Sequence, residues 1–89
     1  MRTPFYTNRF AKDLTLMTKR GRDPENIKAV IRNLIEEKPL ERKFRDHALI
    51  GHFKDRRECH IEPDWLLIYT STEEELGLAR TGTHSDLFK

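Results

Sequence analysis

Trp65-Leu66-Leu67-Ile68-Tyr69 is the stretch that decides the fold. Five successive apolar residues with no polar alternation read as a strand buried on both faces, and such a strand lies at the centre of a sheet. Its neighbours follow from the turns around it. Upstream, Pro63-Asp64 is a turn and Arg57 to Glu62 the preceding strand. Downstream, Ser71 to Glu75 form a polar, acidic turn, and Leu76 to Thr81 return as the last strand. Farther upstream, Gly51-His52-Phe53-Lys54 opens another strand, with Asp55-Arg56 as its turn. The result is an antiparallel meander of about four strands.

One face of that sheet needs a cover, and the first half of the chain supplies it. Asp23-Pro24-Glu25 starts a helix with a capping acid, a proline at the first helical position and an acid near the positive helix end. Ile27, Val30, Ile31, Leu34 and Ile35 then repeat at the spacing of one helical stripe, until Pro39 forbids continuation. Before it, Thr7 or Asn8 caps a helix from about Arg9 to Arg20, with Phe10, Leu14 and Met17 on one side and Gly21 ending it. Pro4-Phe5-Tyr6 reads as a short edge strand, where a leading proline is tolerated. Residues 40–50 show no period and read as a loop pinned by Phe44 and Leu49. The expected fold class is α+β: β-α-α followed by the meander, with two helices on one sheet face, in one domain spanning residues 1–89.

Charge is unevenly spread along the chain. Residues 1–22 carry six Lys or Arg against one acid, and residues 42–57 six against two. Residues 58–89 carry two against seven. Basic surface is therefore gathered in the first helix and in the loop ahead of the sheet, a pattern suited to holding phosphates. No run of 18 apolar residues spans a membrane, and the start of the chain lacks the apolar core of a signal peptide. A single cysteine argues against a disulfide framework and fits a reducing, cytoplasmic setting.

Around the central strand lie His60, Asp64, Arg80 and His84. Three of these hold or move a proton and the fourth is a fixed cation, which is equipment for acid–base chemistry on a phosphodiester. Alternation puts Cys59 and Ile61 toward the helices and His60 on the other side, flanked by Glu58 and Glu62. By the same rule Arg80 shares a face with Leu76 and Leu78, the face the helices should cover. Either the strand bulges, or Arg80 lies beyond the reach of the helices, or Gly77 and Ala79 face them instead. A metal centre is not expected: neither Cys-x2-Cys nor His-x3-His spacing occurs, and Cys59 and His60 point to opposite faces.

Two segments, His60-Ile61-Glu62-Pro63-Asp64-Trp65-Leu66-Leu67-Ile68-Tyr69 and Arg80-Thr81-Gly82-Thr83-His84-Ser85-Asp86-Leu87-Phe88, closely resemble YafQ-type toxins of the RelE/ParE superfamily. Asp46-His47-Ala48-Leu49-x-Gly51 is similar to the family's Asp-His-Pro-Leu-x-Gly, with alanine replacing the proline. The resemblance implies a RelE-like fold and a ribosome-dependent endoribonuclease that cuts messenger RNA without a metal or other cofactor. It implies catalytic roles for His47, His60, Asp64, Arg80 and His84, with His84 as the acid and the base open among His60, His47 and Asp64. Phe88, Trp65, Lys43, Arg45, Lys54 and Arg56 are the candidates for substrate contact, Trp65 as a wall of the core or pocket more than a stacking platform. The implied partners are a neutralising antitoxin, the ribosome and its message, with DNA met only through the antitoxin. Two other classes fit parts of the chain. One is a toxin of the same superfamily that blocks a protein target such as gyrase, for which the histidines are superfluous. The other is a non-catalytic RNA-binding module, for which the basic loop suffices.

Overall fold

The computed structural model describes residues 1–49 and 55–88. In chain order the elements are β1 (Thr3–Tyr6), α1 (Asn8–Lys19), α2 (Pro24–Ile35), a 3-10 turn (Arg42–Phe44), β2 (His47–Ala48), β3 (Arg57–Glu62), β4 (Trp65–Ser71), β5 (Glu75–Gly82) and α3 (His84–Leu87). The five strands form one sheet in the order β1-β5-β4-β3-β2. β2 to β5 pair antiparallel, while β1 runs parallel to β5, from Thr3 opposite Glu75 to Tyr6 opposite Leu78. Strand direction has no signature in a four-residue segment. The parallel pairing follows from the helices, which bring the chain back across the sheet before the meander begins.

Local chemistry starts each helix where expected. The Thr7 hydroxyl accepts the Phe10 amide at the head of α1, and the Asp23 carboxylate accepts the Glu25 amide at the head of α2. Between the two helices Gly21 takes a φ of 94°, which a residue with a Cβ rarely adopts. Helix α2 ends at Ile35, ahead of Pro39. Phe10, Met17, Ile27, Val30, Ile31 and Leu34 from the helices meet Cys59, Ile61, Trp65, Leu67, Tyr69, Leu76 and Leu78 from the sheet. Burying one such large side chain stabilises the fold by roughly 1.5–3 kcal/mol, so this layer supplies most of the driving force.

β4 is buried on both sides, since Leu66 and Ile68 on the far face are each 1% exposed. The region read as a loop, residues 40–50, holds two short elements instead: the 3-10 turn and β2, whose two residues pair with β3. Two residues cannot display a period, so only the pairing defines them. Phe44 does pin this segment to the core, while Leu49 is half-buried and donates its amide to the Arg56 carbonyl at 2.8 Å. The strand expected at Gly51-His52-Phe53-Lys54 lies outside the described residues. Two register shifts interrupt the meander, one between His60 and Glu62 and one opposite Ile68 and Tyr69, where Arg80 and Leu78 are the partners and Ala79 is extra.

Cys59 sits fully buried among helix-facing residues, and burial pushes its thiol up to about 12. It should resist thiol reagents at neutral pH until the protein unfolds. Cys59→Ala should lower stability by about 1 kcal/mol and leave activity intact. A folded but inactive variant would place the thiol in the site.

Candidate active site

Register decides which side chains meet on the sheet face away from α1 and α2. His47 lies opposite Glu58, Glu58 opposite Ile68, and Ile68 opposite Arg80, so these four form one row across four strands. The next row runs from His60 through Leu66 to Gly82. Gly82 leads directly into Thr83 and His84. Four of the five residues expected to be catalytic thus stand on this face or at its end, with Asp64 in the turn beside them.

Glu58 is the hub. Its side chain is only 8% exposed, and its two oxygens face two histidines: Oε2 lies 3.2 Å from His47 Nε2, and Oε1 lies 3.9 Å from His60 Nε2. A carboxylate removed from water requires such partners. His47 Nδ1 also donates to the Arg45 carbonyl at 2.6 Å, so both nitrogens of this ring are engaged. His60 has its ring on the same carboxylate but at a looser distance. Parity on a strand whose other face is apolar places Glu58 beside His60, as expected; its second partner, His47, stands on a two-residue strand that no sequence period marks.

Glu62 does not flank His60 as expected. The shift after His60 turns Glu62 to the helix side, where it accepts Arg22 Nη1 at 2.5 Å and Asn26 Nδ2 at 3.1 Å. The second shift settles the position of Arg80, because the extra Ala79 restores Arg80 to the row containing Ile68 while Leu76 and Leu78 stay in the core. Of the three alternatives, the bulge is the one realised. The guanidinium is gripped by Asp13 of α1, with Nε at 2.7 Å from Oδ2 and Nη2 at 3.3 Å from Oδ1. Asp13 Oδ2 also accepts the Thr81 amide at 3.2 Å. An arginine held this way by two bonds to one carboxylate has its guanidinium plane fixed.

Trp65 is not positioned to touch a substrate. Its indole is wholly buried and donates from Nε1 to the Thr81 hydroxyl at 2.9 Å, which in turn donates to the Leu66 carbonyl at 2.6 Å. It is a wall of the core, bonding β4 to β5 beneath the site, and no base can stack on it.

The chain end forms the short helix α3. Thr83 and Asp86 build a reciprocal capping box at its start. Asp86 is also bound by Arg20 at the end of α1, at 2.7 and 3.4 Å. The His84 amide donates to Asp64 Oδ1 at 3.2 Å, so the turn after β3 holds the head of α3. Added bulk at Gly82 would meet Asp86 at 3.1 Å, which is why α3 packs so close to β5. The exposed His84 ring lies 5.0 Å from that of half-buried Phe88, with 42° between planes.

The basic residues lie at the rim. Lys43 and Arg45 are exposed in and after the 3-10 turn, Arg45 with a left-handed φ of 47°. Both border a cleft of about 630 Å³ that His60, Val30 and Ile61 also line. Arg56 is exposed before β3, and Lys54 falls outside the described residues. Among the described residues, no group of three or more His, Cys, Asp or Glu side chains could hold a metal, and no helix is long and apolar enough to cross a membrane.

Two helices on one face of a five-stranded sheet, in a chain that superposes on crystal structures of YafQ, give the RelE-like α+β class of toxin fold. Within it the chain belongs to the YafQ family: the profile described as "Bacterial toxin of type II toxin-antitoxin system, YafQ" matches residues 2–89. The chain is 42% identical over 84 residues to the mRNA interferase toxin YafQ of Escherichia coli K12, covering 93% of this chain and 91% of the relative. It superposes on the crystal structure of YafQ from E. coli BL21(DE3) with a TM-score of 0.95, at 39% identity and full coverage of both chains. The YafQ chain of the E. coli DinJ–YafQ complex gives 0.93 at 40% identity, again over the whole of each chain.

Arg20, first, and then the Thr83 amide hold the Asp86 carboxyl well below its ordinary 3.8. A carboxyl depressed in the folded state stabilises it above the ordinary value and loses that contribution as the pH falls toward the folded one. Docking of α3 should therefore be complete at neutral pH and loosen from about pH 4 downward. Hydrogen exchange should show the amides of residues 84–88 opening in that range before those of β4. In Arg20→Gln the opening should begin at higher pH; identical profiles would sever the link.

Proposed function

We propose that this chain is an mRNA interferase: an endoribonuclease that cuts messages on the ribosome and is silenced by a cognate antitoxin. Membership in a family of type II toxins and likeness to E. coli proteins named for that activity support the coarse reading. The E. coli relative's structure with DinJ supports the antitoxin. The observation that carries the chemistry is the Glu58 carboxylate between His47 and His60, in one row with Arg80.

The reaction is in-line attack of a ribose 2′-hydroxyl on the adjacent phosphate. It needs a base for the hydroxyl, a cation for the crowded phosphorane-like anion and an acid for the leaving 5′-oxygen. His60 is the base, since both nitrogens of His47 are already engaged and one Asp64 oxygen is bound to the His84 amide. His47 holds Glu58, and Glu58 orients His60 and balances its charge once it has taken the proton. Arg80, preset by Asp13, stabilises the charge that develops on the phosphate. His84 is the acid: it is exposed, its backbone is fixed by Asp64, and its ring is backed by Phe88. Lys43, Arg45 and Arg56 draw the RNA backbone toward this face.

His84→Ala should fold, bind antitoxin and occupy ribosomes, yet cut messages about 10²–10⁴-fold more slowly. A substrate with sulfur in place of the leaving 5′-oxygen departs without a proton and should restore the variant's rate. Near-normal cutting by His84→Ala, read by mapping message ends from purified ribosomes, would move the acid elsewhere. Neutralising Lys43, Arg45 and Arg56 should weaken ribosome binding and flatten its salt dependence while leaving turnover at saturation unchanged.

A further inference from the structure

β2 is only two residues long, yet it carries His47. Two cross-strand pairs do not by themselves hold a strand in one place. Beneath it, on the opposite face, lies a polar clamp. The Asp46 carboxylate Oδ1 accepts the Tyr69 hydroxyl at 2.5 Å and Arg57 Nε at 3.1 Å. Arg57 and Tyr69 are themselves register partners in β3 and β4, so the two donors arise side by side from the longer strands of the sheet. Tyr69 is 1% exposed and packed in the core. Burial first, and then the bond to Asp46, push its phenol well above the ordinary value, so it remains a donor at working pH. The Asp46 bond likewise raises Arg57, which stays charged.

We propose that Asp46, clamped by Tyr69 and Arg57, is a positioning residue that fixes His47 through the backbone it shares with it. The argument is one of alternation. Asp46 and His47 are consecutive and extend to opposite faces, so anchoring the first below the sheet sets the height of the second above it. Arg45 completes the device from the other side: its left-handed turn aims its carbonyl at His47 Nδ1 and fixes the ring about its own bond. His47 in turn holds Glu58, and Glu58 faces His60. A hydroxyl in the core thus reaches the base through three contacts and one backbone link. Neither Tyr69 nor Asp46 touches the RNA. The inference rests on the role given to His47 above.

The test is a double-mutant cycle on cleavage of ribosome-bound message. Tyr69→Phe keeps the ring and removes only the donor; Asp46→Asn keeps the shape, is mostly a surface change, and serves should Tyr69→Phe unfold. Each should lower kcat roughly 10- to 100-fold, the scale of a displaced catalytic group, with KM unchanged. In a His47→Ala background either change should matter by less than about twofold, because the residue it positions is gone. The ring protons of His47 should also broaden or split in the NMR spectrum of each single variant. If His47→Ala cuts at the parent rate, the role of His47 fails and the proposal with it. If His47→Ala is slow while both clamp variants cut normally, or slow both backgrounds equally, the clamp is structural only and the proposal alone is overturned.

Discussion

The structure depends on β4 being buried on both faces while helices cover only one. Leu67, Tyr69 and Trp65 meet α1 and α2, but Leu66 and Ile68 are just as inaccessible on the side away from those two helices. Their neighbours there are Glu58 and Arg80 flanking Ile68, and His60 and Gly82 flanking Leu66. The reactive side chains are therefore also the cover of a second apolar surface. This joins stability to chemistry, since charges seated on aliphatic carbon interact more strongly than the same charges in water. It also accounts for a polar cluster on a face that α1 and α2 leave uncovered, where the bland expectation is a solvated surface.

Placing charge beside buried leucine requires that every polar atom be matched. Among the described residues no buried side-chain nitrogen or oxygen lacks a hydrogen-bond partner. The partners come from far along the chain: Asp13 to Arg80, Arg20 to Asp86, Arg22 to Glu62. All three link the α1 region to the last third, so the first helix does more than cover the core. It reaches the site because β1 stops at Tyr6. Beyond Leu78 the edge of β5 is open to α1, through the Thr7 hydroxyl donating to the Ala79 carbonyl and Asp13 accepting the Thr81 amide. A longer β1 would have closed that edge and left Arg80 without its anchor.

Period and turn chemistry made most of the fold legible, because a helix stripe such as Ile27 to Leu34 and an unbroken run such as Trp65 to Tyr69 leave few alternatives. What failed was local. Alternation carries through a strand only while its register is intact, and the two bulges sit where alternation was applied: after His60, which moved Glu62 to the helices, and at Ala79, which returned Arg80 to the site. A bulge without glycine or proline has no sequence mark. β2 reads as loop in the sequence because its structure lies in its partner's hydrogen bonds, not in its own two residues. An indole suits either a core or a stack, and burial makes Trp65 the wall that the sequence favours over a platform.

The bulges also explain how one short meander serves two incompatible needs. A strictly alternating β5 that keeps Leu76 and Leu78 in the core must also turn Arg80 into it, where a guanidinium would be desolvated under the helices. Moving Arg80 by sequence, to position 79, would put it on the correct face but one step from Ile68 and Glu58. Inserting one residue instead changes the face and keeps the row. The same device in β3 removes a second carboxylate from His60 and gives it to Arg22, leaving Glu58 alone to face both histidines. A single carboxylate between two imidazoles can balance one of them at a time. That asymmetry distinguishes His47, held by two acceptors at 2.6 and 3.2 Å, from His60, whose ring stands 3.9 Å from the shared carboxylate.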